Sequence, residues 1–141
     1  RADYRQMIEV NLLGSITTTE VFLDQLKDGG GDIINISSVA GRTARSGNGV
    51  YAATKWGING WSESLRQELL PDVRVTLVEP GVVATELPSH ITHADTKHGV
   101  QQLYDKAEVT AADVAEIIAF ILSRPRRLAI NEILLRPAGQ Q

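Results

Sequence analysis

The sequence predicts an α/β fold built on a parallel sheet, and two observations carry that prediction. Segments with apolar residues at helical spacing alternate with short apolar runs, in the order helix, strand, helix, strand, flap, helix, strand. The first run, GDIINIS, puts Ile33, Ile34 and Ile36 on both of its faces, as a strand covered on both sides of a parallel sheet requires.

The elements follow in order. Asp3 to Lys27 holds no proline and repeats Met7, Gly14 and Val21 with Ile8, Phe22 and Leu26 beside them, which reads as one long helix closed by Asp28 and Gly29 to Gly31. A strand over Asp32 to Ser37 comes next, then SVAGRTARSGNG, whose glycine, serine and arginine mark a loop. The helical period returns from Gly49 to Leu70 and stops at Pro71, and VRVTLVE alternates as a strand from Val73 to Glu79. Strand, helix, strand is a parallel crossover unit. Pro80 and Gly81 break that strand. Thr85 to Lys106, which holds all three histidines, lacks strong periodicity and is expected to be a mobile flap with a short helix. Thr110 and Asp113 form a capping-box start for a helix bearing Val114, Ile117, Ile118, Ile121 and Leu122 on one side, ended by Pro125. Asn131 to Leu135 reads as a final strand before a frayed tail, Pro137 to Gln141.

Composition narrows the function. The 141 residues make one domain's worth of chain, 43% hydrophobic and 22% charged, which fits neither a disordered nor a fibrous protein. A net charge of −3 with scattered basic residues argues against nucleic acid as a partner, and no apolar run approaches the length of a membrane helix. The absence of cysteine removes disulfide and thiol chemistry and suits a cytoplasmic protein.

The candidate chemistry centres on YAATKWGING. Tyr51 and Lys55 stand four apart, about one helical turn, so phenol and ammonium point into one space. With Ile58, Leu65 and Leu69 they fall in one narrow sector, so the polar pair extends the core-facing stripe at the helix end where open α/β sheets bind ligands. A tyrosine of ordinary pKa, about 10, is a poor base, and a neighbouring cation lowers that value by about one to three units. Ser38, closing the first strand, is placed to donate to a substrate oxygen. Asn11, inside the first helix amid apolar neighbours, is either a structural amide bonding a neighbour's backbone or a link from Lys55 to solvent.

Other polar and aromatic groups read as structural. His90, His93 and His98 with Asp95 are expected in a solvated loop, with no metal site. Trp56 and Trp61 are expected to pack, and Arg124, Arg126 and Arg127 to meet the negative end of a helix dipole.

Taken together, VNLLG around Asn11, GDIINISSVAG reaching Ser38, YAATKWG and EPGVVATEL around Pro80 resemble the short-chain dehydrogenase/reductase family over essentially the whole chain. The resemblance implies a partial Rossmann-like, doubly wound parallel sheet and oxidoreduction of an alcohol or carbonyl with NADP or NAD. It implies Tyr51 as general acid or base, Lys55 lowering its pKa and bonding the nicotinamide ribose, and Ser38 on the substrate oxygen. Asn11 would complete a proton relay through water. Pro80, Gly81, Val82, Val83 and Thr85 would face the nicotinamide, with the flap closing over a small carbonyl or alcohol substrate.

The family's opening strand, glycine-rich turn and helix are missing from these residues, since Gly29 to Gly31 precede a strand instead of following one. Residues 1–141 are therefore expected to be the C-terminal portion of a single domain, unable by themselves to hold the dinucleotide properly, with the Asp32 to Ser37 strand left as an unpaired edge. The alternative is a catalytically silent module that serves assembly. Opposite Tyr51, the small residues Ala53, Gly57, Gly60 and Ser64 suggest that this helix and the helix of Asn11 meet their copies in a homodimer or homotetramer, close packing inside the subunit being the other reading.

Overall fold

The computed structural model describes residues 1–140, the His90 side chain excepted. Its elements are α1 (Ala2–Met7), a π-helical stretch Ile8–Leu13, α2 (Gly14–Gly29), β1 (Asp32–Ile36), a 3-10 turn Val39–Gly41, α3 (Gly49–Leu69), β2 (Arg74–Pro80), a 3-10 turn Leu87–His90, α4 (Ala94–Tyr104), α5 (Ala111–Leu122) and β3 (Glu132–Leu135). The strands form one sheet in the order β1-β2-β3, both pairs parallel, with Asp32 opposite Arg74 and Leu77 opposite Glu132. Each parallel pair is joined through a helix, α3 and then α5, as parallel pairing requires.

The long N-terminal helix is continuous but not regular. Its middle six residues wind as a π-helix with Asn11 inside them, a local widening that periodicity cannot reveal and that is frequent at functional sites. It ends where Gly30 takes the left-handed conformation, φ 66°, which costs a residue without Cβ nothing. The next helix, α3, ends one residue earlier than the sequence suggests. Leu70 is extended, ψ 144°, because the residue before a proline is pushed out of the helical region.

The core packs Ile33 of β1, Val73 and Val75 around β2, and Leu65 and Leu69 of α3, with Leu23, Leu26 and Trp61 against them. Trp56, in contrast, is half exposed, so only one of the two tryptophans packs inside. On α5, Ile121 is buried while Leu122 is 48% exposed and leaves the apolar side it was expected to share. Gly57 lets α3 approach the π stretch: a Cβ there would stand 3.0 Å from Leu12 Cδ2, whereas one at Gly60 would meet nothing within 4 Å. Close packing within the subunit therefore accounts for Gly57, and Gly60 stays on the open surface.

Among the described residues β1 pairs only with β2, which leaves its other edge without a strand. Beside it runs an open groove of about 790 Å³ lined by Val10, Phe22, Ile33, Ile34 and Asn35 among others. At the start of the strands, buried Arg74 donates to Asp32 at 2.6 Å and to the carbonyls of Arg124 and Leu128 at 3.0 Å. Arg124 meets the helix end as expected, bonding the Phe120 carbonyl at 3.1 Å, but Arg126 instead bridges to Asp32 at 3.0 Å. The carbonyls after α5 are thus satisfied largely from β2. No helix among the described residues is long and apolar enough to cross a membrane.

The α5 start carries a full capping box, Thr110 Oγ1 accepting from Asp113 N at 3.3 Å and Asp113 accepting from Thr110 N at 2.7 Å. The bonds from Thr110 backbone and hydroxyl hold the Asp113 carboxyl below its usual value. A depressed carboxylate contributes stability that is present above the unfolded value, about 3.9, and lost as pH falls through the folded one. We expect Asp113→Asn to remove part of the acid-range loss in urea-denaturation midpoint below pH 4. An unchanged acid profile would show that the cap does not act through the carboxylate.

Candidate active site

The first turns of α3 stand beside the C-terminal end of β1, and this juxtaposition assembles the site. Tyr51 and Lys55 are half-buried on the sector of α3 whose deeper members, Ile58, Leu65 and Leu69, are buried. The Lys55 amine donates to the Ile36 carbonyl, the last of β1, at 3.0 Å and lies 5.7 Å from the centre of the Tyr51 ring. Ser38 follows the strand as the cap of the Val39–Gly41 turn. Its hydroxyl oxygen accepts from Ala40 N at 3.1 Å, and the hydroxyl lies close enough to the Tyr51 phenol to lower its pKa.

Electrostatics here depart from the expectation drawn from sequence. Burial pushes the Tyr51 phenol above its ordinary value and the bond from Ser38 pulls it part of the way back. Lys55 is pushed below its ordinary value by burial. The amine faces the ring and the Ile36 carbonyl, so Ser38, and not Lys55, is the group that opposes the burial of the phenol.

Asn11 reaches the same helix end by another path. Its Nδ2 donates to Thr54 Oγ1 at 3.4 Å, and Thr54, itself buried, donates to the Tyr51 carbonyl at 2.7 Å. The amide's partner is therefore a side chain that bonds the backbone of Tyr51.

Pro80 ends β2, and Gly81 N donates to Leu135 O at 2.7 Å. Val82 N, expected to face a nicotinamide, donates instead to Gln140 Oε1 at 2.8 Å. The tail up to Gln140 is thus tied back, with Gln140 N on Pro137 O at 2.9 Å, where fraying was expected; Gln141 lies outside the described residues. Val83 is buried, and the exposed Thr85 hydroxyl accepts from Leu87 N at 3.4 Å. The flap carries an eleven-residue helix, α4. It is started by the His93 ring, which accepts from Thr96 N at 3.4 Å; His98 pairs with Gln102 on the exposed side, and the His90 side chain lies outside the described residues. Tyr104, which closes α4, is half-buried close enough to Tyr51 for a phenolate there to raise its own pKa, after the larger effect of burial.

Sequence reasoning missed a second polar group beneath Ser38. Glu79, with no exposed surface, accepts from Arg42 Nη2 at 2.6 Å and from Asn59 Nδ2 at 2.8 Å. Asn59 also donates to Gly41 O at 3.2 Å and accepts from the Ser37 hydroxyl, while Arg42 reaches Glu132 of β3 at 2.6 Å. Two features pointed there: an acid at the end of a largely apolar run just before Pro80, and an amide one turn after Lys55. A Cβ at Gly41 would stand 2.8 Å from both Asn59 Nδ2 and Ser37 Oγ. We expect Gly41→Ala to cost about 1–3 kcal/mol of stability by overpacking this cluster, read as a lower urea midpoint; a midpoint within error of the parent would show that the cluster yields freely.

The family model described as short chain dehydrogenase matches residues 1–96. The chain belongs to the short-chain dehydrogenase family. It is 34% identical over 98% of its length to an uncharacterized oxidoreductase of Staphylococcus saprophyticus, covering 57% of that protein. It is 34% identical to an NADP-dependent 3-hydroxy acid dehydrogenase of Schizosaccharomyces pombe, over 95% of this chain and 52% of that one. Among solved structures, the closed form of a serine dehydrogenase complexed with NADP+ superposes with a TM-score of 0.90 at 31% identity, over 99% of this chain and 58% of that chain. This short-chain dehydrogenase sequence thus spans about half the length of the curated relatives it matches, and its three parallel strands and helices match about half of the neighbour's Rossmann-like fold.

Proposed function

We propose that this chain is the catalytic portion of an NAD(P)-dependent oxidoreductase that interconverts an alcohol and a carbonyl, with Tyr51 as general acid and base. The observation that carries the reading is the placement of the Lys55 amine on the last carbonyl of β1 and beside the Tyr51 ring, two residues before Ser38. The residues present suit the nicotinamide end of a dinucleotide, with half-buried Tyr51 and Lys55 and an exposed Thr85 hydroxyl beyond the Pro80–Gly81 turn. They do not supply the pyrophosphate end, since Gly29 to Gly31 precede β1 and open no helix. The glycine-rich unit is therefore assigned to another part of the same domain, and residues 1–141 to its C-terminal portion.

A nicotinamide held there would supply or accept the hydride. The chain's own groups handle the oxygen and its proton: Ser38 donates to the substrate oxygen, and Tyr51 gives it a proton in reduction or takes one in oxidation. Lys55 ties the end of β1 to the helix turn beside the phenol, and Asn11 with Thr54 fixes the backbone of the turn that carries Tyr51. NADP is the first cofactor to test, and serine and other 3-hydroxy acids the first substrates, because the relatives named above use them.

The reading has a definite pH signature. Burial keeps the phenol protonated beyond its ordinary value of 10.0, so carbonyl reduction should be level through neutrality. Alcohol oxidation, which needs the phenolate, should rise about tenfold per pH unit below the phenol's value. Initial rates in both directions from pH 6 to 10, for these residues joined to a glycine-rich dinucleotide unit, test it; an oxidation rate that is level with pH removes Tyr51 as the base. The 141 residues alone should show no saturable NADPH fluorescence enhancement, and tight saturation would overturn the division of the domain.

A homodimer or homotetramer through the helices of Asn11 and Gly60, in a cytoplasmic setting, belongs to the same proposal. Val10, Leu13, Val21, Phe22 and Trp56 on these helices are each more than half exposed, an apolar surface that a partner helix pair would cover. Gly60→Trp should lower the sedimentation coefficient of the assembly; an unchanged value would exclude this face.

A further inference from the structure

Glu79 is a buried carboxylate that the proton-transfer chemistry does not use. Burying a charge costs several kcal/mol before its partners offset it, and the strand that holds it, RVTLVEP, is buried throughout. An apolar residue would pack there at no such cost, so the carboxylate has to be explained by what it holds.

What it holds is the loop that carries Ser38. On one side of Ser38, Ser37 N donates to Val78 O at 2.8 Å and the Ser37 hydroxyl donates to Asn59, which in turn donates to Glu79. On the other side, Arg42 Nε contacts both Glu79 oxygens at 2.9 Å, and Asn59 bonds Gly41 O. The segment from Ser37 to Arg42 is therefore gripped at both ends by one carboxylate and one amide. Between the grips, Gly41 N on Ser38 O at 2.9 Å and Ala40 N on Ser38 Oγ fix the serine in its turn, two residues beyond the Ile36 carbonyl that Lys55 holds beside the Tyr51 ring. Glu79 also immediately precedes Pro80, so the same group sets the Pro80–Gly81 turn in register with the serine loop.

We propose that Glu79, with Arg42 and Asn59, forms a positioning cluster that aims the Ser38 hydroxyl at the Tyr51 phenol. The proposal rests on the reading of Ser38 and Tyr51 given above and adds three residues to it, none of which touches the reacting atoms. Bidentate pairing by Arg42 supplies direction as well as attraction, which a lysine at the same place does not reproduce.

The test reads the phenol directly and needs no cofactor. In a Tyr4→Phe, Tyr104→Phe background Tyr51 is the one remaining tyrosine, and its ionisation is followed by phenolate absorbance. The titratable or hydrogen-bonding groups facing the phenol are then Ser38 from the loop and Lys55 from α3, with the Tyr104 phenol of α4 removed. Ser38→Ala should move the midpoint upward, because the bond that opposes burial is gone. Glu79→Gln and Arg42→Lys should also move it upward, and neither should move it further when combined with Ser38→Ala. Circular dichroism at each pH establishes that the variants are folded.

Folded Glu79→Gln and Arg42→Lys variants with the parental midpoint would overturn the proposal. So would equal shifts with and without Ser38, or loss of fold in both variants, since either makes the cluster a structural element alone. Should Ser38→Ala itself leave the midpoint in place, the reading of Ser38 at the phenol fails and takes the cluster with it. Should Ser38→Ala shift it while the other two do not, only the cluster proposal falls.

Discussion

Tyr51→Phe should lower kcat for hydride transfer by about 10²- to 10⁴-fold, the usual contribution of a positioned proton donor or acceptor. The substitution keeps the ring over which Lys55 lies at 5.7 Å and keeps the backbone carbonyl that Thr54 holds. KM should therefore stay within a few fold, and thermal stability should hardly move. What disappears is the phenol's proton. The pH dependence of residual oxidation should level off, because no group with the phenol's pKa remains. Steady-state rates by NADPH absorbance for the assembled oxidoreductase decide it. A loss smaller than about tenfold would mean that water or another group moves the proton, since a positioned acid or base contributes about 10²- to 10⁴-fold.

Arg42→Met should destabilise the chain by about 3 kcal/mol, the lower end of what breaking a buried ion pair costs. The lower end applies because the pair is lopsided: the Glu79 side chain has no exposed surface, while that of Arg42 is 42% exposed and partly screened by water. Removing the guanidinium leaves a buried carboxylate with the Asn59 amide as its remaining partner, and frees Glu132 on β3 as well. The loss should appear as a lower urea midpoint with an unchanged slope. It should shrink in Arg42→Met, Glu79→Leu, where no charge remains to be left unpaired and the apolar side chain suits the strand end. Equal destabilisation in the single and double variants would mean that packing of the arginine stem, and not its charge, holds the loop.

Several features were legible in the sequence because they are local. The spacing of Tyr51 and Lys55 puts them on one face of any helix, and the apolar residues at 58, 65 and 69 say which face turns inward. The positions of both strands, the capping box at Thr110 and Asp113, and the break at Pro71 follow from residues a few positions apart, but β1 is not covered on both faces as its isoleucines suggested, since Ile36 is 45% exposed. The family resemblance rested on the same local motifs, which is why it survived comparison. Features that were not legible depend on partners distant in the chain. Arg42 and Glu79 are 37 residues apart, and Val82 and Gln140 are 58 apart. Neither helical nor strand periodicity carries information at that range.

The sequence by itself determined which groups share a face and in what order the elements come, because backbone geometry repeats every 3.6 or two residues and side chains inherit that repeat. Only the tertiary structure decided the phenol's electrostatics. Lys55, which the spacing places beside Tyr51, spends its hydrogen bond on the Ile36 carbonyl, while burial sets the direction of the phenol's pKa and Ser38 opposes it. A pKa answers to everything within a few ångströms, and what lies within a few ångströms is settled by packing.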